Sequence, residues 1–517
     1  MSKRLKREVK LADLKENGIT KDMVSHHFGS LSALDSTART EFSSSFFDVS
    51  IESIYTPKNI AALRADVASH RRFVVTTAVN GCKIHEGFYA AIKNYCAINN
   101  ATLLILVASD PANRYTHGNK DWGTIDARLQ TENIVFEDTK LNDNIFLSTI
   151  KIAAKHIDPI TGLGRIGQRN GSFIYASPKQ RLKAVAVSNN KLPHFLMTTG
   201  SITKPDYASD LYLSQRTAYI AEHDHVMGAI IVEIEDDEIF HFRQVQSDKK
   251  GDFADLGIMY SANYTKTYLP EAFVLGDWHT GSTDPQARAC WEQVSAALRP
   301  KQIVLHDLFD GRCVSHHEEK DQILRAQRAN RNELSLSSEL QEVASDLSSL
   351  LKVCDSLVIV KSNHDQFLER YLREGRYAKD PLNHKLSLRL AIELLDGKDP
   401  LKTGVEMFLD EADSHKINWL SMDEDYKIAG VQLGAHGHAG SNGARGSLAA
   451  MEQAYGNSIS GHAHTPEILR NCVQVGTSSY LKMSYVKGAS SWLHSSCLVY
   501  PNGTRQLINC INGKWRI

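Results

Sequence analysis

The sequence predicts a mixed α/β protein built from several domains. Short apolar runs rich in β-branched residues alternate with amphipathic stretches from residue 60 to 250 and again from 262 to 517, which is typical of strands and helices that follow one another. The chain has 517 residues, and at roughly 150 residues per domain this length favours two to four domains. Hydrophobic residues make up 42% and charged residues 23%, a composition typical of folded globular proteins.

Charge and hydropathy exclude several classes of protein. Lysine and arginine number 59 and acidic residues 60, for a formal net charge of −1, so a polyanionic partner has to be held by local patches or metal ions. The chain has no apolar run long enough to span a membrane, and its basic start has no apolar segment behind it. We therefore expect no membrane partner. Eight scattered cysteines without a C-x-x-C pair predict free thiols in a cytoplasmic protein.

The first 45 residues predict a basic helical segment. Apolar residues at near-helical spacing, a break at Asn17-Gly18 and Thr20 as an N-cap indicate a helix, a turn and a second helix. Residues 18–34 resemble the small helix-turn-helix repeats found beside homing endonucleases, which implies a second helix in a DNA groove and a basic arm on the phosphates. A solvated helical hairpin is the alternative. The DNA-binding residues implied are Lys3, Arg4, Lys6, Arg7, Lys21, Ser25 and His26.

Residues 60–250 predict a separate α/β domain. Buried strands at 71–79 and 101–108, with a helix at 88–100 between them, form a βαβ unit. Later β-branched runs extend the same sheet or a second one, at 172–177, 183–188, 194–202 and 228–234. The region contains no recognisable catalytic residues, so its role stays open. Apolar strands of this kind often serve packing, and assembly into a homo-oligomer is one such role.

Five segments within residues 262–517 carry metal-ligating side chains at the end of an apolar run. The carboxyl ends of strands are where α/β sheets place ligand-binding residues. Side chains two apart on an extended backbone point the same way, so an Asp-x-His or His-x-His pair can reach one ion. The residues delivered are Asp277 and His279, then Asp307 and Asp310, then Asn363, His364 and Asp365, then His436 and His438, then His462 and His464.

Other features of this half have no such spacing. His306, His316 and His317 lie near the second segment without a chelating pattern, so we expect them in solvent or behind the ligands. An amphipathic region from Glu318 to about Val353 predicts one or two surface helices of the same domain.

The order of the five segments is similar to that of the calcineurin-like metallophosphoesterase superfamily. The resemblance covers roughly residues 270–500. It implies a two-layer β-sandwich core, flanked by helices, that holds two metal ions. The ligands implied are Asp277, His279 and His464 for one ion, Asn363, His436 and His462 for the other, and Asp307 as the bridge.

The same resemblance assigns catalytic roles and reveals two departures. His364 matches the catalytic histidine, and His436 is preferred to His438 as a ligand because the family ligand directly precedes a glycine. The second segment usually begins Gly-Asp and here has His306 in place of the glycine. The third usually begins Gly-Asn-His and here has Ser362 in place of the glycine. We therefore expect the loops near the ions to differ from the common pattern.

The ligand set predicts the metal and the resemblance implies the reaction. Imidazole nitrogens with carboxyl and amide oxygens, and no thiolate, suit divalent manganese first, with iron, zinc or nickel as alternatives. Two ions bridged by Asp307 would hold a hydroxide that attacks phosphorus. His364 would stabilise the transition state or protonate the leaving oxygen.

The substrate has to be inferred from features outside the five segments, because the superfamily hydrolyses monoesters, diesters and nucleic acids with similar sites. The basic N-terminal segment and the large additional domain favour DNA. The long helical insertion after the second segment resembles the nuclease branch, which includes SbcD-type exonucleases and early nucleases of tailed phages that degrade host DNA. We therefore expect a metal-dependent deoxyribonuclease. The alternatives are a phosphomonoesterase or cyclic-nucleotide phosphodiesterase, and a DNA-binding regulatory protein with a structural metal site.

Overall fold

The computed structural model describes residues 48–108, 123–188, 191–207, 214–422, 424–483 and 486–517. These residues form a mixed α/β structure, as the alternating pattern predicts. The segment 1–45 and its predicted DNA contacts lie outside the described residues. Among the helices of the described ranges, none combines the length and the apolar character needed to cross a membrane.

The helices and strands of the described ranges follow one another along the whole chain. The strands are β1 (Asp48–Ser50), β2 (Arg72–Val79), β3 (Thr102–Ala108), β4 (Thr124–Asp126), β5 (Asn133–Ile134), β6 (Thr139–Asn142), β7 (Ile145–Ser148), β8 (Ser172–Tyr175), β9 (Gln180–Val185), β10 (His194–Thr199), β11 (Gly228–Ile234), β12 (Phe240–Gln246), β13 (Phe253–Asp255), β14 (Ile258–Tyr260), β15 (Thr265–Thr267), β16 (Ala272–Val274), β17 (Gln302–Leu305), β18 (Ser356–Ile359), β19 (Ile417–Trp419), β20 (Lys427–Ile428), β21 (Val431–Gln432), β22 (Ser458–Ser460), β23 (Glu467–Leu469), β24 (Cys472–Gln474), β25 (Ser495–Val499) and β26 (Arg505–Asn509). The α-helices are α1 (Ile51–Ile54), α2 (Pro57–Ser69), α3 (Glu86–Asn99), α4 (Gly164–Asn170), α5 (Gln215–His223), α6 (Pro285–Leu298), α7 (Gln322–Asn330), α8 (Leu336–Leu350), α9 (Gln366–Arg373), α10 (His384–Leu395), α11 (Pro400–Glu406), α12 (Glu411–Ser414) and α13 (Leu448–Tyr455), with 3₁₀ turns at Ala127–Leu129, Arg376–Lys379 and Ser441–Gly443.

The largest sheet combines strands from both halves of the chain. Its order is β20-β21-β22-β24-β23-β9-β10-β8-β7-β6. The two halves join where β9 pairs antiparallel with β23, with Leu182 opposite Ile468. Arg181 reinforces this junction, because its guanidinium donates to the Ile468 carbonyl at 2.8 Å and to Glu467 Oε1 at 2.6 Å. This sheet therefore crosses the boundary predicted between the regions 60–250 and 262–517.

A second sheet carries the strands that lead to the first three predicted site segments. Its order is β19-β18-β17-β16-β25-β26, and β16 to β19 run parallel to one another. Val274 and Val304 on one face of this sheet share a hydrophobic core with Val431 and Ile459 of the ten-stranded sheet. Its other face packs against α6 and α8 through residues such as Trp291. The region Glu318–Val353 contains α7 and α8, so the prediction of one or two helices there is confirmed.

A third sheet, of order β12-β11-β2-β3-β5, contains the predicted βαβ unit. The unit is confirmed, because β2 and β3 are parallel and α3 connects them. Arg243 of β12 is 2% exposed and donates to Asp255 at 2.8 Å and to Glu233 at 3.1 Å. Gln506 of β26 donates to the same Asp255 carboxylate at 2.8 Å. This buried polar cluster ties the third sheet to the second.

A half-buried histidine makes the stability of the fold depend on pH. The Nε2–H of His225 donates to the Thr203 carbonyl at 2.7 Å, and its Nδ1 accepts from the Tyr207 hydroxyl at 2.7 Å. Desolvation lowers the pKa of His225 from its ordinary 6.5 to about 4. The stabilisation from the neutral ring is thus fully present above pH 6.5 and is lost as the pH falls toward 4. We expect the free energy of unfolding to drop by about 2 kcal/mol between pH 7 and 5 through this group.

Urea unfolding at the two pH values measures this effect. The variant His225→Gln cannot take up the proton and keeps an N–H that can donate to Thr203. Its unfolding free energy should therefore change by about 2 kcal/mol less than that of the wild type over the same pH interval. Identical pH dependence in the two proteins would contradict the prediction.

Candidate metal centre

The predicted ligands lie at the C-terminal ends of five strands. The loops after β16, β17 and β18 supply the first three segments, and the loops after β21 and β22 supply the other two. Because parallel strands present their carboxyl ends at one edge of a sheet, these loops lie close together. The side chains that the structure brings together are Asp277, His279, Asp307, Asn363, His436, His462 and His464.

Four of these side chains form a buried first group. Asp277, His279, Asp307 and His464 are at most 5% exposed, and each offers one ligand atom within 4.8 Å of those of the others. Nε2 of His464 lies 3.1 Å from Oδ2 of Asp277 and 3.1 Å from Nε2 of His279. Ligand atoms that each lie about 2.1 Å from one ion are about 3 Å apart. The spacing of the first group therefore fits a single cation.

Asp307 connects the first group to a second one. Its Oδ2 lies 3.6 Å from Nε2 of His279 and 3.3 Å from Nε2 of His436. The ring of His462 lies 5.3 Å from that of His436, and its Nδ1 lies 3.2 Å from Oδ1 of Asn363. One carboxylate thus faces nitrogen donors of both groups, as a bridging ligand does.

The structure also distinguishes His436 from His438. His436 is fully buried and faces Asp307, whereas His438 is half-buried, with its ring 5.5 Å from that of His436. His306 lies fully buried behind His436, as one of the two alternatives from the sequence anticipated. His316 and His317 lie beside Phe367, which in turn contacts His364.

The backbone at four of the seven positions is left-handed, a feature that the sequence does not signal. Residues other than glycine rarely adopt this conformation, which costs roughly 1–2 kcal/mol each. Strain of this kind persists where the surrounding structure enforces it, commonly at functional sites. The φ angles are 51° at His279, 44° at Asp307, 75° at His462 and 57° at His464.

Three buried carboxylates, those of Asp277, Asp307 and Asp310, give the site a negative electrostatic potential. Burial opposes their ionisation, but the neighbouring histidines hold the pKa of Asp307 well below its usual range and lower that of Asp310 to about 2. Burial by itself would lower the pKa of His279. The hydrogen bond to Asp310 and the nearby carboxylates outweigh this effect and raise the pKa to about 9. A proton on His279 therefore balances the carboxylates, and a cation bound there would displace that proton.

Unpaired oxygen atoms indicate that a cation fits this site. Oδ1 of Asp277 and Oδ1 of Asp307 are buried and have no hydrogen-bond partner within the described part of the chain. A buried polar atom without a partner is costly, and a charged one more so. Coordination to a cation would satisfy both atoms. The donor set of imidazole, carboxylate and amide groups is suited to manganese, iron, zinc or nickel.

Asp310 orients two histidines from behind. The Nδ1–H of His279 donates to Asp310 Oδ1 at 3.2 Å, and the Ser282 hydroxyl donates to Oδ2 at 3.0 Å. This contact leaves Nε2 of His279 for a metal, as outer carboxylates commonly do. The Nδ1–H of His364 donates to the Asp310 carbonyl at 3.0 Å, so Nε2 of His364 is the nitrogen left for substrate. The sequence pattern included Asp310 but gave it no role.

Gly461 lies so close to the predicted ligand Asp277 that a side chain cannot be accommodated. A Cβ atom at this position would lie 2.1 Å from Oδ1 of Asp277 and 3.2 Å from Cβ of His306. We expect Gly461→Ala to displace the Asp277 carboxylate and to weaken binding of divalent manganese by roughly 10- to 100-fold. Equilibrium dialysis with metal analysis measures the change. Gly164→Ala is the matched control, because its Cβ would meet nothing within 4 Å; unaltered manganese binding by Gly461→Ala would refute the prediction.

Comparison with known proteins gives one informative match. The chain is 27% identical over 476 residues to Protein A1 of Escherichia phage T5, and the match covers 87% of this chain and 84% of that protein. No family model matches the chain, and no solved structure matches it. The chain is therefore related to a phage protein along most of its length, although that name states no activity.

Proposed function

We propose that the protein is a dinuclear-metal-dependent phosphodiester hydrolase that acts on DNA. The observation that carries this proposal is the position of Asp307, whose Oδ2 faces His279 of one donor group and His436 of the other. Two adjacent groups with a shared carboxylate are the arrangement expected of a two-metal site. The order of the five ligand segments, which is similar to that of calcineurin-like metallophosphoesterases, supports the same conclusion.

The proposed ligands divide between two ions, with manganese as the first choice. Bound divalent ions would supply an activated water and neutralise the charge on the phosphoryl oxygens. Asp307 would fix the positions of the two donor groups relative to each other. Asp310 would hold Nε2 of His279 toward the site. The residues proposed to hold the ions are Asp277, His279 and His464 in the first group, Asn363, His436 and His462 in the second, and Asp307 between them.

His364 is proposed as the residue that acts on the leaving group. Its side chain is 24% exposed, which makes it more accessible than the buried ligands. With Nδ1 engaged by the Asp310 carbonyl, Nε2 is free to carry a proton toward the oxygen that leaves phosphorus. The ring lies 4.6 Å from that of His279, so the proton would be delivered beside the ligands.

DNA is proposed as the substrate from the basic N-terminal segment and from the accessibility of the second donor group. The basic N-terminal residues would contact phosphates. A half-exposed Asn363 and an exposed His462 leave one side of the second donor group open to a large substrate.

The proposal is tested by comparing substrates in one preparation. Purified protein is incubated with manganese and linear or plasmid DNA, and separately with p-nitrophenyl phosphate. We expect DNA to be degraded, the monoester to be hydrolysed far more slowly, and EDTA to stop both reactions. Rapid hydrolysis of the monoester with intact DNA would favour a phosphomonoesterase. Manganese binding without hydrolysis of either substrate would favour a regulatory protein with a structural metal site.

The N-terminal segment should contribute DNA affinity rather than chemistry. Deletion of residues 1–45 removes Lys3, Arg4, Lys6 and Arg7 among other basic groups. We expect weaker DNA binding and a shallower dependence of log Kd on log salt concentration, because fewer counterions are released. Fluorescence anisotropy at several salt concentrations measures both. Unchanged affinity and slope would remove this segment from the proposed DNA-binding surface.

A further inference from the structure

A buried histidine stands directly behind one proposed ligand. His306 and His436 are both 0% exposed, and their Nδ1 atoms lie 3.4 Å apart. Nε2 of His306 has no hydrogen-bond partner among the described residues. Within the described ranges, the ring of His306 is therefore enclosed in the interior and has one side-chain hydrogen-bond contact, with the ring of His436.

The contact that Nε2 of His436 makes decides which ring donates the hydrogen bond between His436 and His306. Nε2 of His436 faces Oδ2 of Asp307 at 3.3 Å, so this is the nitrogen that a metal would use. A ring that coordinates through Nε2 carries its proton on Nδ1. The Nδ1–H of His436 then donates to Nδ1 of His306, which leaves the proton of His306 on Nε2.

This arrangement costs stability, which argues against a purely structural role for His306. Its Nε2–H is buried and has no acceptor in the part of the chain that the structure describes, and such a group is unfavourable relative to an apolar side chain of similar size. The interior also makes room for the ring, because the Cα of Gly461 carries no side chain where a Cβ would lie 3.2 Å from Cβ of His306. A residue chosen only for packing would not require an unsatisfied donor.

We propose that His306 is a positioning residue that fixes the tautomer and orientation of His436 and thereby sets the affinity of the second metal position. The role is that of the carboxylate or carbonyl acceptor that usually stands behind a metal-bound histidine. Here a neutral imidazole takes this place, at the position where the resembling family usually has glycine. The inference rests on the proposed dinuclear site.

Two substitutions separate the hydrogen bond from the volume of the ring. His306→Asn retains an acceptor at the position of Nδ1, whereas His306→Leu fills similar space without one. The full chain is titrated with manganese, and bound ions are counted from the loss of the free-ion signal in electron paramagnetic resonance. His241→Leu is the matched control, since His241 is a buried histidine that contacts Glu235 away from the site.

The expected result has three parts. Wild type and His241→Leu bind two ions. His306→Leu binds the first ion normally and the second about 10- to 100-fold more weakly, while His306→Asn stays within a few-fold of wild type. The urea midpoint of metal-free His306→Leu is close to that of the wild type, because the unpaired Nε2–H of His306 is removed while the buried Nδ1–H of His436 loses its acceptor.

Other outcomes overturn the inference in distinguishable ways. Two ions bound by His306→Leu as tightly as by wild type would exclude a positioning role and leave the proposed function intact. Equal losses in both His306 variants, together with lower urea midpoints, would mean that His306 acts through packing. A wild-type protein that binds no manganese would overturn the proposed function and this inference with it.

Discussion

Asp307→Asn is expected to lower the rate of DNA hydrolysis by at least about 10³-fold, which corresponds to roughly 4 kcal/mol in the barrier. The carboxylate faces His279 and His436 at 3.6 and 3.3 Å, so it is the proposed ligand that both donor groups share. The amide has the same shape without the charge. The measurement is the rate at saturating manganese, together with the number of ions bound per chain, which should fall below two.

Asp307→Asn should lose DNA hydrolysis while the protein stays folded. Asp307 and Asp277 are both buried, and each carboxylate raises the cost of ionising the other. Because the neighbouring histidines also hold the pKa of Asp307 well below its usual range, removing its charge should lower the urea midpoint of the metal-free protein but leave it folded, as circular dichroism during urea unfolding would reveal. Asp355→Asn, the same exchange at an exposed position before β18, should retain full activity. An Asp307→Asn protein with wild-type turnover would eliminate the proposed mechanism.

His364→Asn is expected to give a different pattern: two bound ions, little change in KM and a fall in kcat on DNA of about 10²–10³-fold. His364 contacts the Asp310 carbonyl and the ring of His279 but is outside the proposed ligand set. Its removal therefore affects proton transfer while the ligands stay in place. The kinetic constants and the metal content of the same preparation measure the two effects.

The leaving group decides which of two roles His364 has. A p-nitrophenolate needs no proton to leave, so bis-p-nitrophenyl phosphate should be hydrolysed by His364→Asn at a rate much closer to that of the wild type if protonation is the role. An equally large loss on both substrates would assign His364 to stabilisation of charge in the transition state instead. Loss of metal from this variant would place His364 among the ligands and contradict the proposed division of roles.

The convergence of the predicted ligands could be anticipated because it follows from local patterns. Each ligand segment ends an apolar run, and β16, β17 and β18 are parallel, so Asp277, Asp307 and Asn363 arrive at one edge of a sheet. Long-range pairing could not be anticipated in the same way. Leu182 lies opposite Ile468 because β9 and β23 are both apolar. Many other strands of the chain are equally apolar, so their sequences do not indicate which two strands pair.

The backbone conformation and the ring contacts of the site could not be predicted from the sequence either. The left-handed backbone at His279 and Asp307 is set by the surrounding fold, since histidine and aspartate adopt it more often than most residues other than glycine but still only at a few positions. His306 could be seen as a departure from a common pattern. Its contact with His436 became visible only when the fold placed the two rings together.

The pairing of β9 with β23 limits how this protein could be divided or recombined. A truncated chain beginning near residue 262 would keep every proposed ligand and yet leave β23 with a free edge, which is prone to pair with other chains. Residues 262–517 are thus not a transferable module. Replacing one half with that of a related protein would have to preserve the register of this junction.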